Sequence, residues 1–163
     1  MSHCIIPVVR TLDVDMLPMY MGVILSSQRL GNTDVGRSLL ISIVDDDESV
    51  RKAIDALVRS LGYLAATFAS AEEFLNSDRL IDTSCLITDL RMPGMSGVEL
   101  QCRLIAQGRA IPTIFITAFA DESTRARVLT AGAVGFLSKP FNEESLLNCL
   151  DKALNGLPRA ASW

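Results

Sequence analysis

From Leu39 onward the chain repeats a two-part pattern. A short unbroken run of apolar or β-branched residues is followed, after a turn, by a segment whose apolar residues recur every three or four positions. Runs of that length read as buried strands, and the three-to-four spacing reads as a helix with one packed face. Leu39–Val44 is the first such strand, and Val50, Ile54, Leu57, Val58 and Leu61 form the stripe of the helix after it. Tyr63–Phe68 is the second strand, followed by a short helix to about Asn76. Thr83–Thr88 is the third, ending at Asp89, with a helix to about Gln107. Thr113–Ile116 is the fourth, ending at Thr117, and its helix runs to about Ala131 with a thin stripe of Ala126, Val128 and Leu129. Val134–Ser138 is the fifth and ends at Lys139-Pro140. The last helix places Leu146, Leu147, Leu150, Ala153 and Leu154 on its buried face.

Local signals punctuate these elements. Asp47, Asp121 and Asn142 stand where N-caps belong, and Ser70…Glu73 and Ser96…Glu99 have the spacing of capping boxes. Gly62 and Gly108 stop helices, and Gly156 with Pro158 ends the last one. Five strands alternating with five helices through short connections predict an α/β fold. Its form is a doubly wound five-stranded parallel sheet with helices on both faces, because each crossover must be helical and right-handed.

Composition narrows the function classes. The 163 residues are 49% hydrophobic and 21% charged, with a mean hydropathy of +0.32. That excludes a disordered chain. The net charge of −4 arises entirely after residue 37, where 16 acids face 12 bases. A mildly acidic domain without basic runs offers no electrostatic footprint for nucleic acid, so no nucleic-acid contact by this chain alone is expected. The four cysteines are far apart with no CxxC, and the single histidine is His3, which leaves no zinc site at usable spacing. Small buried thiols in a reducing cytosol account for them.

Residues 1–37 lack this pattern. Met16–Leu25 is broken by Pro18 and Gly22 and falls short of the ~20 residues a membrane span needs. Arg10 accompanied by Asp13 and Asp15 is a poor secretory leader. The expected organisation is a poorly ordered N-terminal extension over 1–37, one domain over 38–156 and a tail over 157–163, in a cytoplasmic protein.

The candidate chemistry lies at the strand ends. In open parallel sheets, ligands bind outside the C-terminal ends of the strands. The first strand delivers Asp45 and Asp46 there, the third Asp89, the fourth Thr117 and the fifth Lys139, one of only three lysines. The second delivers nothing comparable, as fits an edge strand. Each residue has an ordinary explanation as a cap, a strand end or a surface charge, but helix capping does not also supply a distant lysine and threonine. Three converging carboxylates repel unless a cation neutralises them, and an oxygen cluster without His or Cys suits Mg²⁺. A metal, an ammonium and a hydroxyl around one carboxylate are the parts that phosphoryl transfer uses, with the carboxylate as covalent acceptor. The stretch Cys85–Gly97, an apolar run into Asp89 followed by a Pro/Gly-rich turn, makes Asp89 that acceptor.

These residues also carry a family resemblance. Ile43-Val44-Asp45-Asp46-Asp47, Thr88-Asp89-Leu90-Arg91-Met92-Pro93-Gly94-Met95-Ser96-Gly97, Ile116-Thr117-Ala118 and Ser138-Lys139-Pro140-Phe141 together resemble the receiver domain of two-component response regulators. The likeness covers Leu39 to Asn155, roughly seven-tenths of the chain. It implies the flavodoxin-like strand order 2-1-3-4-5, an order for which a chemotaxis receiver is itself a standard example. It implies that Asp89 takes a phosphoryl group from a sensor histidine kinase, and that the chain is a switch catalysing its own phosphorylation and dephosphorylation, not an enzyme on other substrates. Asp46 and Asp89 would hold Mg²⁺ directly, the Arg91 backbone carbonyl would contribute, and Asp45 would act through water. Thr117, Lys139 and the backbone amides of Ala118 and Leu90 would contact the phosphoryl oxygens. Thr117 and the aromatic Phe136 would form the switch. They would remodel the face made by the fourth helix, fifth strand and fifth helix, which meets a downstream protein or a second copy.

The Val-Arg-Lys opening of the first helix and the Gly132–Phe141 run resemble regulators that carry a helix-turn-helix output domain. Two readings follow: a receiver acting through a protein partner, or the receiver part of a DNA-binding regulator. An aspartyl-phosphate hydrolase of the haloacid type is disfavoured, because Asp89-Leu90-Arg91 lacks the second acid of a DxD pair. Arg91 and Phe119, two residues beyond Asp89 and Thr117, are placed to screen attacking water.

Overall fold

The computed structural model describes residues 39–155, so the readings for the 1–37 extension and the 157–163 tail lie outside the described residues. The strands are β1 (Leu40–Val44), β2 (Leu64–Phe68), β3 (Thr83–Asp89), β4 (Thr113–Thr117) and β5 (Gly135–Ser138). The helices are α1 (Glu48–Ser60), α2 (Ala71–Leu75), α3 (Gly97–Ala106), α4 (Glu122–Thr130) and α5 (Glu143–Asn155). A single 3₁₀ turn at Asp78–Leu80, which has no periodic signature, joins α2 to β3. All strand pairs are parallel, in the order β2-β1-β3-β4-β5. The fold class and the edge position of β2 agree with the sequence reading.

The period-two alternation of each strand sorts its side chains onto two faces. Ile41, Ile43, Cys85, Ile87, Ile114 and Ile116 pack with Ile54 and Val58 of α1 and Leu146 and Leu150 of α5. Val44, Leu86 and Phe68 point the other way, onto Phe74 of α2 and Leu100 and Leu104 of α3. Leu90 and Phe115 meet Val128 of α4 there too. Val128 is the only buried residue of α4, so that helix is held by little apolar contact, as its thin stripe implies. Cys85 lies inside this core, and burial pushes its thiol up to about 12. It stays protonated at neutral pH and takes no part in reactive chemistry.

The predicted caps form. Asp47 accepts from Ser49 N and Val50 N, Asp121 from Thr124 N, and Asn142 from Ser145 N. Ser96 and Glu99 close a full capping box. At α2 the box is offset: Ser70 accepts from Glu73 N, but Glu73 Oε2 accepts from Ala69 N rather than from the cap residue itself.

The register aligns the strand ends. Val44 sits opposite Thr88, Asp89 opposite Ile116, and Thr117 opposite Ser138. The residues at or just after these ends, Asp45, Asp89, Thr117 and Lys139, therefore share one edge of the sheet.

Candidate functional site

Asp45, Asp46 and Asp89 each offer a carboxylate oxygen, and the three oxygens lie within 4.8 Å of one another. Burial differs within the cluster. Asp45 is 2% exposed and Asp89 8%, whereas Asp46 is open to solvent. β1 and β3, flanked on both sides by other strands, carry the first two inward, while Asp46 begins the turn into α1. Asp45 Oδ1 accepts from Asp47 N at 2.9 Å, and Asp89 Oδ1 accepts from Arg91 N at 3.2 Å. The Lys139 ammonium bridges the pair, at 2.7 Å from Asp45 Oδ2 and 3.0 Å from Asp89 Oδ2. The Lys139-Pro140 peptide that follows is cis.

Electrostatics follow from this packing. Burial raises the Asp45 carboxyl above its ordinary value, against the hydrogen bonds from Lys139 and the Asp47 amide. Burial also pulls the Lys139 ammonium down, but its bonds to Asp45 and Asp89 together prevail and the net shift is upward. Lys139 is therefore a fixed positive charge between two acids. The donor set fits a hard divalent cation: three carboxylates with no nitrogen or sulfur ligand among them, one of them solvent-facing so that an ion can enter.

Thr117 is fully buried at the end of β4. Its hydroxyl oxygen accepts from Phe119 N at 3.2 Å and so is held on its own loop rather than on a carboxylate. Ala118, next in the chain, is exposed beside the site. Phe136, on β5, is half-buried against the cluster of Leu90, Phe115, Val128 and Ala133. Leu90 departs from the expectation that its amide is available to a phosphoryl oxygen. Its N–H donates to Ile116 O at 3.2 Å, extending the β3–β4 ladder by one residue. The amide that turns toward Asp89 belongs to Arg91. Arg91 also lays its guanidinium over the exposed Phe119 ring, 5.2 Å from the centroid.

Two contacts had no signal in the sequence. Arg51 of α1 donates from Nη1 to the Asp45 carbonyl at 2.6 Å, holding the end of β1. Glu72 of α2 accepts from Met95 N at 3.1 Å, across 23 residues. Neither follows from periodicity, because both are reaches between elements.

The response regulator receiver domain model matches residues 41–151. This chain belongs to the response regulator receiver family. Among its relatives, the response regulator protein TmoT of Ectopseudomonas mendocina is 43% identical over 120 residues, covering 74% of this chain and 54% of that protein. The transcriptional regulatory protein FixJ of Azorhizobium caulinodans is 34% identical, covering 72% and 56%. Among solved structures, the FixJ-N crystal structure superposes with a TM-score of 0.67 at 36% identity, covering 76% of this chain and 98% of that one. The response regulator StyR gives 0.67 at 44% identity, covering 72% and 60%. The receiver chain spans about half the length of the curated relatives it matches. No helix among its described residues is long and apolar enough to cross a membrane.

Proposed function

We propose that this receiver takes a phosphoryl group onto Asp89 from the phosphohistidine of a sensor kinase. The observation that carries the reading is the Lys139 bridge between Asp45 and Asp89 at the mouth of a three-carboxylate cluster. A structural ion pair needs one acid. Here two acids, one of them 2% exposed, share the ammonium, and an open third carboxylate stands within 4.8 Å of both, which is costly unless a cation and an anion are to be bound. In the transfer an Asp89 carboxylate oxygen attacks phosphorus and forms the O–P bond. The P–N bond breaks, and the imidazole nitrogen keeps the electron pair and takes up a proton. Lys139 is positioned to hold a phosphoryl oxygen, and Thr117 and the Ala118 amide serve the others. Asp46, Asp89 and the Arg91 carbonyl would hold Mg²⁺, and Asp45 would act through water. The ion, when bound, supplies positive charge against the gathering phosphoryl oxygens and the acidic cluster. The Leu90 amide is left out of this set because it serves the sheet.

The switch follows from the same residues. The Thr117 hydroxyl accepts from Phe119 N and keeps its own O–H to donate to a phosphoryl oxygen, and its movement toward that oxygen is the step that would let half-buried Phe136 turn inward. The thinly packed α4 beside it is the element most easily shifted. The α4–β5–α5 face then meets a downstream protein or a second copy of the chain. An output domain that binds DNA fits the descriptions of several relatives as transcriptional regulators.

Donor access is suggested by an apolar groove lined by Val50, Ala53, Ile54 and Leu57 of α1 and by Lys139, Pro140 and Phe141. A kinase helix lying there would present its phosphohistidine next to Asp89. Ala53 is exposed, so Ala53→Asp should leave folding intact. We expect it to slow phosphotransfer from the cognate kinase at least tenfold, or ~1.4 kcal/mol, while uptake from acetyl phosphate stays within twofold. Equal slowing with both donors would overturn the groove assignment.

Phosphoaspartate lifetime depends on what screens water. The Arg91–Phe119 stack spans the two loops that flank Asp89, and an exposed pair of this kind contributes roughly 0.5–1 kcal/mol. Phe119→Ala should therefore speed loss of label from the phosphorylated protein about 2- to 5-fold. An unchanged decay rate removes the screening role.

A further inference from the structure

Glu72 stands outside the cluster yet touches the loop that the cluster depends on. Capping of α2 is already done by its neighbours, since Ser70 accepts from Glu73 N and Glu73 accepts from Ala69 N. Glu72 instead leaves its helix, and its Oε1 accepts from Met95 N at 3.1 Å. Among the described residues it makes no ion pair. Gly94 lies under this contact: its φ of +77° favours glycine, and a Cβ there would lie 3.1 Å from the same Oε1, so the Glu72 carboxylate would have to shift by a few tenths of an ångström. From below, Met92 and Met95 sink into the core beside Phe68 and Phe74. The connection from β3 to α3 is thus gripped from two sides. Its first residues are Leu90, tied to Ile116 O, and Arg91, tied to Asp89 Oδ1.

We propose that Glu72 is a positioning residue, holding the β3–α3 loop in the shape that presents the Arg91 carbonyl to the metal beside Asp89. This rests on the metal-site reading above. A backbone carbonyl cannot be tuned by its own side chain, so its aim is set by whatever fixes the loop on either side. Asp89 fixes one side and the Glu72–Met95 bond the other. Outer contacts of this kind typically alter metal affinity by roughly 10- to 100-fold. Glu72 is solvent-exposed and acts through the loop, so about fivefold is expected.

The test uses the full 163-residue chain as wild type, Glu72→Ala, Glu72→Asp, Glu72→Gln and Asp46→Ala. Mg²⁺ is titrated against the amide shifts of residues 88–92, and hydrogen exchange of residues 91–96 is followed in the metal-free proteins. Glu72→Ala and the too-short Glu72→Asp should bind Mg²⁺ about fivefold more weakly and exchange faster over 91–96, with little change in Tm. Glu72→Gln keeps an acceptor oxygen at the same reach and should stay within twofold of wild type. A merely structural role would lower Tm without this split between Gln and Asp. Wild-type affinity in Glu72→Ala while Asp46→Ala loses binding overturns the proposal alone, as does a Glu72→Gln variant as weak as Glu72→Ala. Undiminished affinity in Asp46→Ala overturns the metal-site reading, and the role of Glu72 with it.

Discussion

Asp89→Asn is expected to abolish uptake of phosphoryl label from acetyl phosphate in the presence of Mg²⁺, with the far-UV circular dichroism of the wild type retained. The amide has the carboxylate's shape but no anionic oxygen to form the O–P bond, so the reaction has no acceptor. Folding should survive because Lys139 keeps its shorter bond, 2.7 Å to Asp45. The backbone at this position is also held independently, by the pairing of Asp89 with Ile116. Labelling of Asp89→Asn at the wild-type level would show that another residue accepts the group. Steady multiple turnover of phosphate esters by the wild type would favour a hydrolase over a switch.

The largest structural effect is expected from Gly97→Ala. Gly97 opens α3 directly under the site, and a Cβ there would overlap the backbone carbonyl oxygen of Asp89 and stand 3.1 Å from both Phe115 and Thr88 Oγ1. The first overlap is with backbone, so no rotamer change relieves it. Either α3 withdraws or the end of β3 moves, and overpacking of this sort costs roughly 3 kcal/mol. Thermal denaturation should show a fall in Tm on the order of 10 °C. Phosphorylation should slow as well, because the carbonyl that must move belongs to the acceptor itself. A Tm within 2 °C of wild type, together with normal labelling, would mean that the close contact of α3 with β3 is dispensable.

The two variants probe different layers of one design. Asp89 is chemistry placed at a strand end, and Gly97 is the missing side chain that lets a helix start against that strand. Its absence of bulk is legible in the sequence only as a glycine after a serine cap. The close approach to Asp89 O requires the packed structure. Glu72 makes the same point: Ser70-Ala71-Glu72-Glu73 reads as a capping box, and nothing local distinguishes the acid that caps from the acid that crosses to Met95. Nothing local to Leu90 distinguishes a free amide from one that, as here, continues the sheet ladder one residue past Asp89.

By itself the sequence determined the five strands and five helices, their parallel order of packing layers, and which polar residues stand at the strand ends. Unbroken apolar runs must be covered on both faces, and a strand buried that way can carry an ionised side chain only where it ends. Tertiary structure alone decided how those ends are joined. One ammonium spans acids 94 and 50 residues away in the chain, Arg91 covers Phe119 from a separate loop, and Glu72 reaches its amide 23 residues on. These are separations of a few ångströms set by strand register and helix placement. Local periodicity carries no information about them, because it describes each element against the core and not one element's tip against another's.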